Sequence, residues 1–170
     1  PSYNRKDFLK RSIDSAINQT KKPLEVIVVD DGSTDGTETM IKSDYDFVKF
    51  IKQKNKGVSA ARNIGIKVSI GEWICFLDSD DEWKKDKLEK QINAMKSNLG
   101  YKFFHSNELW IKNGLRINQK KKHKKYGGDI FEKCLDMCRI SPSSVMINKT
   151  VFDEVGNFNE DLVVCEDYEL

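Results

Sequence analysis

"LEVIVVDDGSTDGTETMIKS", residues 24–43, decides how this chain folds. Its opening, Leu24 to Asp30, is a β-branched apolar run without inside–outside alternation, the pattern of a strand buried on both faces. The run breaks at Asp30, Asp31 and Gly32, and Ser33, Thr34 and Asp35 then offer helix N-cap chemistry ahead of a helical stretch. Working outward, "DFLKRSIDSAIN" carries Phe8, Leu9, Ile13, Ala16 and Ile17 at helical spacing. Downstream, "FVKFIKQ" (47–53) reads as a short strand and "GVSAARNIGIKVS" as a helix opening at Gly57. "EWICFLD" (72–78) is the next buried strand, and "KDKLEKQINAMKSN" the next amphipathic helix. Strand–helix–strand alternation with short connections predicts an α/β fold, with a parallel sheet covered by helices on both faces. Ligands of such sheets bind beyond the carboxyl ends of the strands, so Asp30, Asp31 and Asp78 are expected to converge on one crevice.

The second half is less regular. "YKFFHSNELWIKNGLRIN" reads as a hairpin turning at Asn113–Gly114. "QKKKHKKYGG" is a lysine-rich solvated loop, whose functional alternative is attraction to anionic lipid headgroups or a phosphorylated acceptor. "DIFEKCLDMC" reads as a helix placing Cys134 and Cys138 on one face, "SSVMIN" as a strand and "TVFDEV" as a short helix ending at Gly156. Trp73, Phe76 and Phe50 read as core, and His105 as a satisfied polar residue.

The 170 residues carry 29 Lys and Arg against 27 Asp and Glu, a formal charge of +2. That near-balance argues against a dedicated nucleic-acid binder, which normally shows a clear basic excess. No apolar segment approaches the roughly 20 residues of a membrane span. Cys75, Cys134, Cys138 and Cys165 fit neither a zinc pattern nor a disulfide framework, and are expected to be buried free thiols in a reducing cytosol. The chain opens on "PSYN" with no strand before it and stops at "CEDYEL" on a helix start, so both ends are expected to be internal to a longer protein.

The densest acidic stretch is "FLDSDDEW" (76–83). A single aspartate after a strand is ordinarily a cap. Asp78, Asp80 and Asp81 beside Asp30 and Asp31 would raise one another's pKa unless a partner neutralises them. A hard divalent cation prefers oxygen ligands and, as Mg²⁺ or Mn²⁺, keeps open positions for phosphate. Asp78 and Asp80, spaced across Ser79, can address one bound ligand from a turn. "NKGVSAARN" supplies the basic complement, with Lys56 and Arg62 near a helix start whose amides are themselves anion donors.

Taken in order, "PSYNR", "EVIVVDDGSTDGT", "NKGVSAARNIGI", "FLDSDDEW" and "CEDYEL" resemble the family-2 glycosyltransferases, inverting enzymes of the GT-A fold, over almost the whole chain. The resemblance implies a GT-A type, Rossmann-like, mostly parallel sheet flanked by helices, with a smaller acceptor-side region. Residues 1–170 would form one domain, about 1–100 binding the nucleotide sugar and about 101–170 facing the acceptor. It implies that Tyr3 stacks on the nucleotide base, usually uracil, and that Asp31, with Asp30 beside it, hydrogen-bonds that base. Asn55 and Arg62 would line the nucleotide and its diphosphate. Asp78, Ser79 and Asp80 match the Asp-x-Asp motif, the first reaching the ribose and Asp80 coordinating a divalent metal, Mn²⁺ or Mg²⁺. Asp167, next to Glu166, matches the catalytic base.

The implied partners are a nucleotide-sugar donor, UDP-sugar favoured, and a glycan or lipid-linked acceptor, with peripheral membrane contact and no nucleic acid. The implied setting is bacterial surface-polysaccharide assembly at the cytoplasmic face of the plasma membrane. Two other classes share parts of the pattern. A phospho-receiver domain also ends one strand in an acidic pair and a later strand in an aspartate, but it starts with the acidic-pair strand and leaves "NKGVSAARN" and "CEDYEL" without roles. A sugar-nucleotide nucleotidyltransferase shares the sheet and metal chemistry, but has a Gly-rich basic loop after its first strand that "PSYNRKD" lacks.

Overall fold

Apolar periodicity and turn chemistry place most elements where the sequence predicts them. The computed structural model describes residues 1–169. Helix α1 (Lys6–Ile17) turns Leu9, Ile13 and Ala16 inward. Strand β1 (Ile27–Asp30) runs parallel to β2 (Lys49–Lys52), with Val28 opposite Phe50 and Asp30 opposite Lys52. Helix α2 (Thr37–Asp44) connects them. Leu9, Ile13, Val28, Ile41, Tyr45 and Val48 pack together, which fastens α1 and α2 to β1. Helix α3 (Val58–Val68) begins after Gly57, whose φ of 92° suits a residue without a Cβ.

Strand β3 is shorter than expected, Trp73–Ile74 only. After helix α4 (Lys87–Ser97), strand β4 (Phe103–His105) and the later β7 (Val145–Asn148) complete its sheet, with β7 between β3 and β4 and antiparallel to both. The α/β architecture therefore combines a parallel pair with an antiparallel three-stranded sheet, and β7 ties residues of the second half into the middle of the fold. Phe76, Phe152 and Phe158 pack edge-to-face beneath it, so Phe76 is core as expected, while Trp73 and Phe50 are half-buried. Between β1 and the segment around β3 lies an apolar cavity of about 420 Å³, lined by Val29, Ile74 and Phe76 among others, with Pro1 also in its wall.

The predicted hairpin forms as β5 (Trp110–Lys112) and β6 (Leu115–Ile117), with Asn113 and Gly114 both at positive φ, as a type I′ turn requires. The expected helix over "DIFEKCLDMC" is one turn, α5 (Phe131–Cys134). Its continuation would need the Lys133 carbonyl, which instead accepts a hydrogen bond from Arg139 Nε. Cys134 and Cys138 consequently share no helical face. The thiols are free, but Cys138 and Cys165 are exposed, which corrects the expectation of four buried ones. Helix α6 (Thr150–Val155) stops at Gly156, φ 95°. A short α7 (Glu166–Glu169) follows Cys165, itself at φ 64°. Among the described residues no helix is long and apolar enough to cross a membrane.

Candidate active site

Three turns meet at the carboxyl end of β1. Ser2 bridges Asp30 in parallel register, its N–H donating to the Val29 carbonyl at 3.0 Å and its carbonyl accepting from Asp31 N–H at 2.8 Å. Asn4, at φ 49°, donates its N–H to Ser33 Oγ (2.8 Å) and accepts from Thr34 N–H (2.8 Å). These bonds interlock "PSYN" with "DDGST" and leave Tyr3 half-exposed at the rim. Asp35 accepts from Lys6 N–H (2.8 Å) and from Thr37 N–H (3.1 Å).

Asp31 is buried and acts as a clamp: Oδ1 accepts from Gln53 Nε2 (2.6 Å) and Lys56 N–H (2.8 Å), and Oδ2 from Gly57 N–H (2.9 Å). The loop carrying exposed Asn55 is thereby drawn against Gly32. A Cβ at Gly32 would sit 3.2 Å from the Asn55 nitrogen, and its φ is +88°. Asp30 is fully buried, with Oδ2 accepting from Ser33 N–H and Oδ1 unpartnered.

Arg62 is the pivot of the site. Buried at 4% exposure, it donates from Nη2 to Asp78 Oδ1 (2.8 Å) and from Nη1 to Glu166 Oε1 (2.6 Å), and its guanidinium lies 5.3 Å from the Phe158 ring centre. Burial alone would lower its pKa, but Asp78 and Glu166 more than offset that and hold it above the ordinary value. Asp78 is fixed from behind: its N–H donates to Ser143 Oγ (3.0 Å) and its carbonyl accepts from Ser12 Oγ (3.1 Å). Ser79 is buried. Asp80 faces outward, paired at 2.6 Å with Arg5. The Asp81 carboxyl is pushed up by partial burial and by Asp78, Asp80 and Glu108, with Ser143 opposing. Trp83 packs beneath the loop, its Nε1 donating to the Ser143 carbonyl.

Asp31 and Asp78, two of the three strand-end aspartates expected at one crevice, share a neighbourhood with Arg62: the Pro1 nitrogen lies within electrostatic reach of Asp78, Arg62 and Asp31, and Asp30 is buried next to Asp31. The structure brings Glu166 rather than Asp167 onto Arg62. Asp167, the next residue of α7, is half-buried, with Cys138 Sγ 3.6 Å from its Oδ2. Arg5 and Ser143 were missed by sequence reasoning. Arg5 stands inside the quoted "PSYNR", so its signal was present; Ser143 carries none, since only folding brings it to Asp78.

Among the described residues no three acidic, histidine or cysteine side chains form a metal-holding cluster. Asp80 is nevertheless an exposed oxygen donor at a loop tip, and Mg²⁺ or Mn²⁺ is commonly held by one or two carboxylates plus substrate phosphates and waters. The residues fit a metal that arrives with a diphosphate.

Comparisons with known proteins bear on the family and the fold. The chain is 38% identical over 162 residues to an uncharacterized glycosyltransferase of Rickettsia conorii, covering 91% of this chain and 26% of that protein. It is 34% identical over 175 residues to the Escherichia coli UDP-Glc:alpha-D-GlcNAc-diphosphoundecaprenol beta-1,3-glucosyltransferase WfaP, covering 99% of this chain and 65% of WfaP. The fold matches S. aureus TarS 1-349 with a TM-score of 0.77 at 23% identity, over 99% of this chain and 51% of that one. TarS has also been solved in complex with UDP-GlcNAc, at a TM-score of 0.75. The chain thus spans about a quarter of the Rickettsia relative and about half of TarS 1-349. The Glycosyl transferase family 2 model matches residues 1–156, and the chain belongs to that family.

Proposed function

We propose that the protein transfers a sugar from a UDP-sugar to an acceptor hydroxyl with inversion, in bacterial surface-glycan assembly at the cytoplasmic face of the membrane. The observation that carries the reading is the buried Arg62, which joins the Asp-x-Asp loop at Asp78 to the acidic pair Glu166–Asp167. One cation thereby sets the distance between a leaving-group clamp and a base. The TarS complex with UDP-GlcNAc and the WfaP name support a UDP-sugar donor and a lipid-linked acceptor.

In this reading Tyr3 stacks on the uracil at the rim, with Asp31 holding the loop of Asn55 that closes the other side. Asp30, buried beside Asp31, supports the turn beneath that loop through its bond from Ser33 N–H. Asp78 orients the ribose, its carboxylate held in place by the hydrogen bond from Arg62. Mg²⁺ or Mn²⁺ held by Asp80 would supply Lewis-acid neutralisation of the departing diphosphate. Asp167 takes the proton from the acceptor hydroxyl, which attacks the anomeric carbon from the face opposite the nucleotide, and direct displacement inverts the configuration.

Calorimetric titration of UDP with Mn²⁺ into the protein tests the donor half. Metal-dependent binding is expected, weakened at least about tenfold in Asp80→Ala and in Asp31→Ala. Absent binding, or binding unaltered by both changes, overturns the reading. Asp167→Asn is expected to abolish transfer while sparing UDP binding, and retained transfer removes Asp167 as the base.

A further inference from the structure

The β5–β6 hairpin and the lysine loop after it form a surface that the donor chemistry does not use. All six strand residues are exposed, and among the described residues the ribbon pairs with no other strand. Cross-strand register sorts its faces. Trp110 lies opposite Ile117 and Lys112 opposite Leu115, so one face presents three apolar side chains and a cation. Ile111, 61% exposed, shares the other face with Arg116. Leu115, at 73% exposure, stands at the tip beside the turn.

The charge around these apolar groups is positive apart from Glu108, which is paired with Lys125. Lys112, Arg116, Lys120, Lys121, Lys122 and Lys124 are exposed, and none forms an ion pair among the described residues. Residues 109–125 contain no Asp or Glu. Hairpin and loop are one unit, not two mobile segments: the His123 ring lies 4.7 Å from that of Trp110, and Gln119 Nε2 donates to the Glu108 carbonyl. Glu108 anchors the unit by accepting from Trp110 Nε1 (3.0 Å), Lys125 Nζ (3.0 Å) and Ser141 Oγ (2.7 Å). Ser141 is two residues from Ser143, which holds the Asp78 amide, so a short hydrogen-bonded run of chain links the surface to the acidic loop.

We propose that residues 109–125 dock the protein on an anionic lipid bilayer, with Trp110, Leu115 and Ile117 entering the interface and the six cations facing lipid headgroups. A solvated polar loop would account for the lysines alone, and a protein partner for the apolar tip alone. An apolar tip ringed by uncompensated cations is what an anionic membrane surface complements. The proposal deepens the glycosyltransferase reading by naming the surface that would bring the site to a lipid-linked acceptor, yet its test needs no transfer.

The protein is sedimented with sucrose-loaded vesicles of phosphatidylcholine, alone or with about one-third phosphatidylglycerol, at roughly 0.1 M salt, where screening is already substantial. Binding is expected only with the anionic vesicles, with a blue shift in tryptophan emission that Trp110→Phe removes. Leu115→Ser/Ile117→Ser and Lys120→Gln/Lys121→Gln/Lys122→Gln are each expected to weaken partitioning at least tenfold. The substituted side chains are exposed, so folding and UDP binding should be unchanged, and UDP binding separates failure here from failure of the donor site. Equal binding to neutral vesicles, no binding to anionic ones, or binding that survives both variants overturns the proposal. So does concentration-dependent dimerisation abolished by Leu115→Ser/Ile117→Ser, which would assign the hairpin to a second copy.

Discussion

Lys87 is a charged group in an apolar setting. It opens α4 at 8% exposure, with Nζ donating to Gln91 Oε1 (2.7 Å) and lying 4.3 Å from the Trp83 ring centre, and no carboxylate pairs with it among the described residues. Burial pulls its pKa down from 10.5 to about 8, with the nearby Cys75 opposing weakly. A lysine whose folded pKa lies below its unfolded one destabilises the native state while charged. Stability should therefore rise with pH through the window from about 8 to about 10.5, where the folded lysine has lost its proton and the unfolded one keeps it. The gain is up to about 3 kcal/mol at about 1.4 kcal/mol per pKa unit. Urea unfolding at pH 7.5 and 10 is expected to show that rise relative to Lys87→Met, which lacks the titrating group. Parallel pH profiles for both proteins would refute it. Nothing in "KKDKLEK" distinguishes Lys87 from its solvated neighbours. The Trp83 ring lies just upstream in the chain, but the Val145 carbonyl that also covers the ammonium comes from a distant strand.

At the scale of elements, one carboxylate starts two helices. Asp35 receives Lys6 N–H at the head of α1 and Thr37 N–H at the head of α2. Partial burial works against its ionisation, but the Thr37 hydroxyl and these two amides prevail and hold its carboxyl below the ordinary value. Asp35→Ala should cost about 1–2 kcal/mol in urea unfolding at pH 7, the scale of a lost cap at each helix. The cost should shrink as pH falls through the carboxylate range, because a depressed folded pKa contributes stability only above it. A pH-independent cost would assign the loss to packing instead. The capping role of "STD" was legible because it is local, as were helices α1 to α4 and the Asn113–Gly114 turn, whose periodicity and φ requirements lie in adjacent residues. The elements that came out short, β3 and α5, did so for tertiary reasons. Past Ile74 the chain turns its amide at Asp78 toward Ser143, and Arg139 takes the carbonyl that α5 needs. The site divides the same way: its aspartates and Arg62 were legible as motifs, whereas the Arg5–Asp80 pair and the Arg62–Glu166 bond exist only once remote turns meet.

For the whole molecule, the cavity between β1 and the β3 segment is an apolar departure from close packing inside the fold. At about 420 Å³ it well exceeds the roughly 150 Å³ of an apolar cavity known to stay dry and bind small apolar ligands. On one side, β1 is paired with β2. On the other, among the described residues, it meets only the Ser2 bridge at Asp30, so its edge upstream of that bridge faces the void with no described strand beside it. The walls supply apolar side chains from both sides, Leu9 and Val29 on one and Ile74 and Phe76 on the other. This geometry fits an extended β-branched segment running parallel to β1 and leading into Pro1. Each such residue would gain about 2 kcal/mol from side-chain burial and about 1 kcal/mol from a ladder hydrogen bond, against about 1.5 kcal/mol for ordering. Fusing about five alternating Val and Ile residues ahead of Pro1 should therefore stabilise the fold by several kcal/mol and raise Tm by well over 5 °C. An equal-length Gly–Ser extension, which has no apolar side chains to fill the void and so stays unordered, should leave Tm unchanged. Amide hydrogen exchange locates the effect: slowing at Ile27 and Val29 is expected for the apolar extension alone. Equal Tm for the two extensions, or protection confined to the hairpin and loops, would show that the void is not a strand site.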